Sequence, residues 1–288
     1  MDVNQDGRLD VLSGSYSRQQ KTMAGLFHVA PGLGEGRFGP IEILRGVDGN
    51  PLILAFQKGD AVRQTVRICT RQSVVDLDGD GKLDLVTGNF AGAFSWFRGV
   101  DKGSFAAESE PLPSEGELAV PAHSDPFLVD WDADGDLDLV SGSAQGGVYC
   151  MRNVGSKTSP KFAERVVLVP PVVDPHAESS VFGDGHLRGP QGDTRVYVDD
   201  VDGDGKLDLL VGDCVAVNEL PKGVDEADAM AKLAAWTTKY QAHISTAPRS
   251  NDEGAMDAWQ KGYEALEAER KLFCTQVRTG FVWLFRQQ

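Results

Sequence analysis

Residues 76–88 read DLDGDGKLDLVTG, an acidic loop that leads directly into an apolar strand. Aspartates stand at positions one, three, five and nine of this stretch, and Gly81 stands at position six. Carboxylates so close together repel one another, so the loop needs a compensating positive charge. Glycine permits the sharp turn that the spacing requires. The stretch therefore predicts a tight acidic turn joined to a buried β-strand.

The same stretch occurs four times along the chain. The copies are DVNQDGRLDVLSG from residue 2, DLDGDGKLDLVTG from residue 76, DWDADGDLDLVSG from residue 130 and DVDGDGKLDLLVG from residue 200. Their starting points are separated by 74, 54 and 70 residues. An internal repeat of this kind is typical of solenoids, propellers and repeat arrays.

Other strand patterns recur in phase with the acidic loops. An apolar strand precedes three of the loops, and an aromatic-rich strand follows all four: GLFHVA, GAFSWFRG, GVYCMRN and GFVWLFRQ. A further strand follows in three copies, the clearest being PKFAERVVLV from residue 160. Apolar and aromatic runs that are punctuated by glycine predict antiparallel strands. We therefore expect an all-β fold, a β-propeller of four-stranded antiparallel blades.

The phase of the repeat predicts the domain boundaries. The expected blades are residues 2–44, 71–112, 124–169 and 193–288. The first blade lacks its first strand and the fourth lacks its last, which would expose unpaired sheet edges. We expect a partial propeller: a fragment of a longer one, or one that closes by pairing its ends or with another chain. A closed assembly of four or five blades is the alternative.

One insertion interrupts the last blade. Residues 225–273 are rich in Ala, Glu and Lys and poor in β-branched residues, which predicts an α-helical hairpin. Two apolar stripes at helical spacing are Met230, Leu233, Thr237, Tyr240 and Ile244, and Met256, Trp259, Tyr263, Leu266, Arg270 and Phe273. The stripes can pack against each other alone, or the hairpin can also be a partner-docking arm.

The acidic loops have the composition of calcium sites. Calcium takes about six to eight oxygen ligands, mostly carboxylates and carbonyls. Side chains at positions one, three, five and nine can supply carboxylates, and position seven can supply a backbone carbonyl. The predicted ligands of up to four calcium ions are Asp2, Asn4, Asp6, Arg8, Asp10, Asp76, Asp78, Asp80, Lys82, Asp84, Asp130, Asp132, Asp134, Asp136, Asp138, Asp200, Asp202, Asp204, Lys206 and Asp208. Ordinary acidic turns are the alternative.

The loops match an EF-hand only over their first nine positions. An EF-hand needs Glu at position twelve, where this chain has Ser13, Thr87, Ser141 and Val211. A strand pattern follows each loop instead of a helix. Magnesium fits less well, since it keeps several waters and rarely uses an all-protein cage.

The four motifs, each followed by an aromatic strand such as GAFSWFRG, resemble the FG-GAP/VCBS repeats of integrin-α-like β-propellers. The resemblance covers nearly the whole chain outside the insertion. It implies a propeller, usually seven-bladed, with calcium held between the first two strands of a blade. It also implies a secreted or cell-surface protein, or a periplasmic one, that binds a protein or glycan ligand.

The charge of the chain narrows the classes of partner. The formal net charge is −15, which argues against nucleic acid and anionic membrane surfaces. No apolar run is long enough to cross a bilayer, so we expect no membrane insertion. The opening residues MDVNQDGRLD are polar and acidic, which predicts that no signal peptide is present. The expected function is a calcium-binding, non-catalytic extracellular scaffold for binding or adhesion.

Catalysis is the competing interpretation, as a carbohydrate-active hydrolase or lyase on the same scaffold. The sequence GEGRFG at residues 34–39 has the spacing of a nucleotide loop, but a strand follows it, so we interpret it as a hairpin turn. The long connection 172–195 carries His176 and His186 and is interpreted as a polar surface loop. Four cysteines form no CxxC pair, and a disulfide between Cys214 and Cys274 stays open.

Overall fold

The fold is described by a computed structural model that covers residues 1–16, 23–56, 64–172, 182–248 and 253–287. It is mostly β, with many antiparallel strands and two α-helices. The chain divides into two compact units. Unit 1 consists of Met1–Val172, Pro190–Asp213 and Val282–Gln288, and unit 2 of Val173–Gly189 and Cys214–Phe281.

Unit 1 contains four antiparallel sheets, numbered here in chain order. Sheet 1 has the order β1-β2-β5, and sheets 2 and 3 are four-stranded with the orders β11-β8-β7-β6 and β12-β13-β14-β15. Their strands are β1 (Val11–Gly14), β2 (Phe27–Ala30), β5 (Glu42–Ile43), β6 (Arg71–Val75), β7 (Asp84–Gly88), β8 (Phe94–Phe97), β11 (Glu110–Pro111), β12 (Asp125–Val129), β13 (Asp138–Gly142), β14 (Val148–Met151) and β15 (Val166–Val169). The short pairs β3 (Gly32–Gly34) with β4 (Arg37–Phe38) and β9 (Gly99–Asp101) with β10 (Ser104–Phe105) lie beside them.

Sheet 4 is built around one long strand. It contains β16 (Gly192–Asp199), β17 (Asp208–Glu219) and β19 (Val282–Phe285), and β19 pairs with the first part of β17. The sequence predicts only a short strand after the fourth loop, whereas β17 runs on for 12 residues. The second part of β17, from Val215 to Glu219, belongs to unit 2 and pairs there with β18 (Thr275–Thr279).

An apolar core fills the space between each pair of successive sheets in unit 1. The core between sheets 2 and 3 includes Trp96 and Phe162, both 0% exposed. Strands β7 and β13 are buried along their whole length because a core covers both of their faces. Strands buried on both faces are expected to be continuously apolar instead of alternating, which accounts for the runs LDLV in the repeat.

A hydroxyl residue connects each sheet of unit 1 to the next. The Thr194 hydroxyl donates to the carbonyl oxygens of Ser143 and Gly147 and accepts from the Ser143 N–H at 2.8 Å. Ser124 and Thr70 make the same three contacts one and two repeats earlier. The glycine that closes each of the first three motifs leaves room for this contact, since a Cβ at Gly142 would collide with the Thr194 backbone carbonyl.

Unit 2 contains the predicted helical hairpin. Helix α1 spans Glu226–Ser245 and helix α2 spans Glu253–Arg270. Asp225 caps α1 by accepting the Asp228 N–H at 3.1 Å. The helices are joined by a column of aromatic rings whose members are Trp236, Tyr240, Tyr263, Trp259 and His243.

The stripe predicted for α1 is wrong in part. The buried residues are Ala229, Leu233 and Trp236, while Met230 is 50% exposed. The apolar positions alone are compatible with burial of either face of the helix. The large Trp236 determines which face is buried, because its Nε1–H donates to the Leu266 carbonyl at 2.7 Å.

Four further interpretations of the sequence can be compared with the structure. GEGRFG does form a hairpin, because β3 and β4 pair on either side of Glu35 and Gly36. All four cysteines are free thiols. Cys214 and Cys274 lie toward opposite ends of the β17–β18 ladder, about 20 Å apart at the rise of a strand. His176 lies outside the described residues. A closed propeller is not seen within the described ranges, so the propeller and its blade number stay predictions.

Candidate metal centre

The acidic loops of copies two and three connect the first two strands of sheets 2 and 3. In sheet 2 the ladder ends at the pair Val75–Asp84, and in sheet 3 at the pair Val129–Asp138. Asp200 of the fourth copy directly follows β16, and β17 begins at Asp208. The first two strands of sheets 2, 3 and 4 therefore hold both ends of the acidic loop that joins them.

The aspartate at position nine fastens its loop to the sheet. Asp84 accepts the Leu77 N–H at 3.0 Å with one oxygen and the Gly99 N–H at 2.7 Å with the other. Asp138 does the same with Trp131 and Asn153. The equivalent pairs are Val3 and Gly32 for Asp10, and Val201 and Gln287 for Asp208. Each of these aspartates is almost fully buried. Because its carboxylate accepts two backbone N–H groups, it stabilises the fold in addition to being a predicted metal ligand.

The aspartates at positions one and five shape the turn. Asp130 accepts the backbone N–H groups of Asp134 and Gly135, both at 3.0 Å. Asp80 accepts the Lys82 N–H at 2.9 Å. Such side-chain contacts to nearby backbone are the usual reason that aspartate favours turns.

The aspartate at position three pairs with the arginine that directly follows the aromatic strand. Asp78 contacts Arg98 at 2.7 Å, and Asp132 contacts Arg152 at 3.0 Å. In the fourth copy Asp202 lies 3.5 Å from Arg286. These arginines are not among the site residues predicted from the sequence, although each stands at the same place after its aromatic strand.

Carboxylates at positions one, three and nine converge in three of the four loops. Their oxygens lie within 4.8 Å of one another in Asp76–Asp78–Asp84, Asp130–Asp132–Asp138 and Asp200–Asp202–Asp208. The aspartates at position five lie outside these groups, and the first copy, with Asn4 at position three, forms no such group among the described residues. The backbone carbonyl ligand at position seven stays a prediction. Three loops therefore bring acidic oxygens together as a metal site requires.

Loop two offers buried carboxylate oxygens to a cation. Asp76 Oδ1 and Asp78 Oδ1 are buried and have no hydrogen-bond partner. A buried carboxylate oxygen without a partner is costly, and a cation would satisfy both. Burial also raises the pKa of Asp84, and the charges of Asp78 and Asp80 add to this rise although two backbone N–H groups oppose it. The set contains only oxygen donors, which is what a hard cation such as calcium prefers.

Loop three has one more carboxylate than loops two and four, and it lacks their positive charge at position seven. Position seven holds Asp136, where loops two and four hold Lys82 and Lys206. Burial, followed by the charges of Asp134, Asp130 and Asp132, raises the pKa of Asp136. A raised pKa means that proton uptake stabilises the folded chain, an effect complete at acid pH and lost as the pH rises through the folded pKa.

We expect Asp136→Lys to raise the melting temperature in chelator at pH 7 by about 1–3 °C, because it removes repulsion in a largely exposed loop. The gain should shrink as the pH is lowered from 7 toward the raised pKa of Asp136, because the protonated carboxyl repels its neighbours less. Thermal scans across this range measure it, with Lys82→Asp as the reverse control. A gain that stays constant with pH would contradict the electrostatic cause.

The profile of the family described as "FG-GAP-like repeat" matches residues 76–141 and again residues 130–211. These matches span the second, third and fourth acidic loops. The chain is an FG-GAP repeat protein.

Solved structures similar to this FG-GAP repeat protein are toxin components. One is a mutant Tc holotoxin pore of Photorhabdus luminescens, 18% identical over 73% of this chain and 10% of the matched chain, with a TM-score of 0.37. Another is TcdB2-TccC3 without its hypervariable C-terminal region, 16% identical over 73% of this chain and 13% of the matched chain, with a TM-score of 0.33. This chain thus spans about a tenth of their length.

Two further findings complete the comparison. No curated protein matches the chain at a significant level. Among the described helices of this FG-GAP repeat protein, neither is both long and apolar enough to span a bilayer.

Proposed function

We propose that this FG-GAP repeat protein is a calcium-stabilised, non-catalytic scaffold that binds another macromolecule. The repeats themselves suggest a binding scaffold. The sheets of unit 1 would be blades of a propeller, and their calcium loops would stiffen one end of each blade. An extracellular location and a protein or glycan ligand belong to the same proposal.

One observation carries the calcium part of the proposal. In loop two, three carboxylates converge and two of their buried oxygens lack a partner. Asp76, Asp78 and Asp84 would hold the ion there, and the corresponding aspartates would hold it in loops three and four. A bound calcium would supply the positive charge that the carboxylates need and would link the first two strands of a sheet more firmly. Metal-binding free energy then becomes part of the folding free energy.

The test is thermal unfolding of the chain in excess calcium and in chelator, together with a count of bound calcium by elemental analysis. At a calcium concentration one hundred times the Kd, each site adds about 2.7 kcal/mol to the free energy of unfolding. We expect about three bound ions and a melting temperature at least 10 °C lower in chelator. Magnesium at the same concentration is the control, and equal protection by magnesium would contradict calcium as the ligand. A chain with no bound calcium and no shift would contradict the metal site altogether.

The enzymatic alternative has weaker support. In unit 1, His123 lies 3.9 Å from Asp193, an arrangement that invites a catalytic interpretation. The His123 ring packs on Phe90 with centroids 4.2 Å apart, and its pKa is lowered by burial and then by Arg71. These contacts are those of a packed, neutral histidine, so they favour a structural role.

A further inference from the structure

The charge at position three of each acidic loop varies together with the residue that directly follows the aromatic strand. Loops two, three and four have aspartate there and an arginine next to the residue whose N–H binds position nine. Loop one has Asn4, and the place of the arginine is taken by Pro31. The carboxylate and the guanidinium are thus present together or absent together in all four copies.

The geometry of loop two shows how the arginine is held. The Arg98 guanidinium lies over the Trp96 ring, 4.0 Å from its centroid, and contacts Glu110 at 3.3 Å. It pairs with Asp78 Oδ2, whereas Asp78 Oδ1 is buried without a partner. The side chain of Asp78 is 16% exposed, so its charge is poorly compensated by water. Arg98 therefore neutralises one oxygen of a carboxylate whose other oxygen is buried without a partner.

The arginines equalise the charge at positions one, three, five and nine, whereas position seven still differs, with Asp136 in loop three and a cationic residue in the other loops. Loop one has three carboxylates at positions one, three, five and nine, and the other loops have four carboxylates and one guanidinium each. The net charge of this set is −3 in every loop. Within this set, Asn4 with Pro31 gives the same net charge as an aspartate paired with an arginine.

We propose that Arg98, Arg152 and Arg286 are internal counter-ions that lower the calcium affinity of their loops and stabilise them when calcium is absent. This inference rests on the proposed calcium loops. The guanidinium repels an incoming cation and compensates the carboxylates until it arrives. The three arginines would set the calcium concentration at which the scaffold becomes stiff.

The experiment compares two triple variants of the full chain, purified in calcium. In the first, Arg98, Arg152 and Arg286 are replaced by Met, which keeps the apolar stem and removes the charge. In the second they are replaced by Lys, which keeps the charge. Calcium titration calorimetry at about 0.1 M salt, where screening of exposed charges is moderate, gives the affinities. We expect the Met variant to bind calcium roughly tenfold tighter than wild type and the Lys variant to stay within about twofold.

A second arm measures melting temperature in chelator, which tests the counter-ion role without calcium. The Met variant should melt below the Lys variant. If the triple Met variant does not fold, Arg98→Met and Arg98→Lys provide the same comparison at loop two. Adding Asp78→Asn to Arg98→Met copies the pattern of loop one and should restore the melting temperature in chelator.

The outcomes separate this inference from the proposed function. A wild-type chain that binds no calcium would overturn both. A wild-type chain that binds calcium, with a Met variant that binds equally or more weakly, would overturn the counter-ion role alone. Equal behaviour of the Met and Lys variants would also overturn it, because charge would then not be the cause.

Discussion

Gly142→Ala should lower the free energy of unfolding by about 2–4 kcal/mol, a large effect for one added methyl group. The new Cβ would collide with the Thr194 backbone carbonyl at the junction of sheets 3 and 4. Moving Thr194 away would also break the hydrogen bonds between its hydroxyl and Ser143. Both atoms of the collision belong to backbone or Cβ positions, so no side-chain rotation relieves it. Denaturant unfolding monitored by circular dichroism measures the change.

The fourth copy of the motif offers the matched control. Gly212 closes it just as Gly142 closes the third, but the nearest atom to a Cβ at Gly212 is Arg195 Cβ at 4.0 Å. Ala has a smaller conformational entropy cost than glycine in a strand, so Gly212→Ala should be neutral or slightly stabilising. Equal losses in the two variants would mean that the sheet junction is not the reason for the glycine.

Asp84→Ala should lower the free energy of unfolding in chelator by about 2–4 kcal/mol. The carboxylate accepts two backbone N–H groups, those of Leu77 and Gly99, and its removal leaves both without a partner. Working in chelator removes any contribution from a lost metal ion. The measurement is again denaturant unfolding, and the slope against denaturant should not change if only stability is affected.

Asp80→Ala in the same loop is the control for this prediction. Asp80 is exposed and contacts Lys82, so its loss in chelator should move the melting temperature by no more than about 1–2 °C. With calcium present, both variants should lose stability if Asp80 and Asp84 are both ligands. A small effect of Asp84→Ala in chelator would show that position nine serves the metal alone.

Much of the candidate site could be predicted from the sequence. The four acidic stretches, their spacing and the strands that follow are local patterns, and local patterns are set by bond geometry and by the period of a strand. The same holds for the hairpin at GEGRFG and for the existence of the two helices. In these segments the residues that interact are neighbours in sequence.

Contacts between residues that are far apart in the sequence could not be predicted from it. The arginine that faces Asp78 stands 20 residues further on, and the backbone N–H that holds Asp84 stands 15 residues further on. The predicted ligand set treated position nine only as a metal ligand, whereas the structure gives both of its oxygens a backbone partner. The stripe predicted for α1 is wrong in part because apolar spacing does not reveal that the Trp236 side chain donates to the Leu266 carbonyl of α2.

The sequence by itself determined that this protein repeats an acidic turn between strands, because each turn is encoded within one short stretch. Only the tertiary structure decided which carboxylates converge, which are already hydrogen-bonded, and which face an arginine. It also decided that Gly142 and Gly212, identical by motif, lie in different surroundings. The physical reason is that burial and charge compensation depend on the chain segments that folding brings together, and a local pattern does not name those partners.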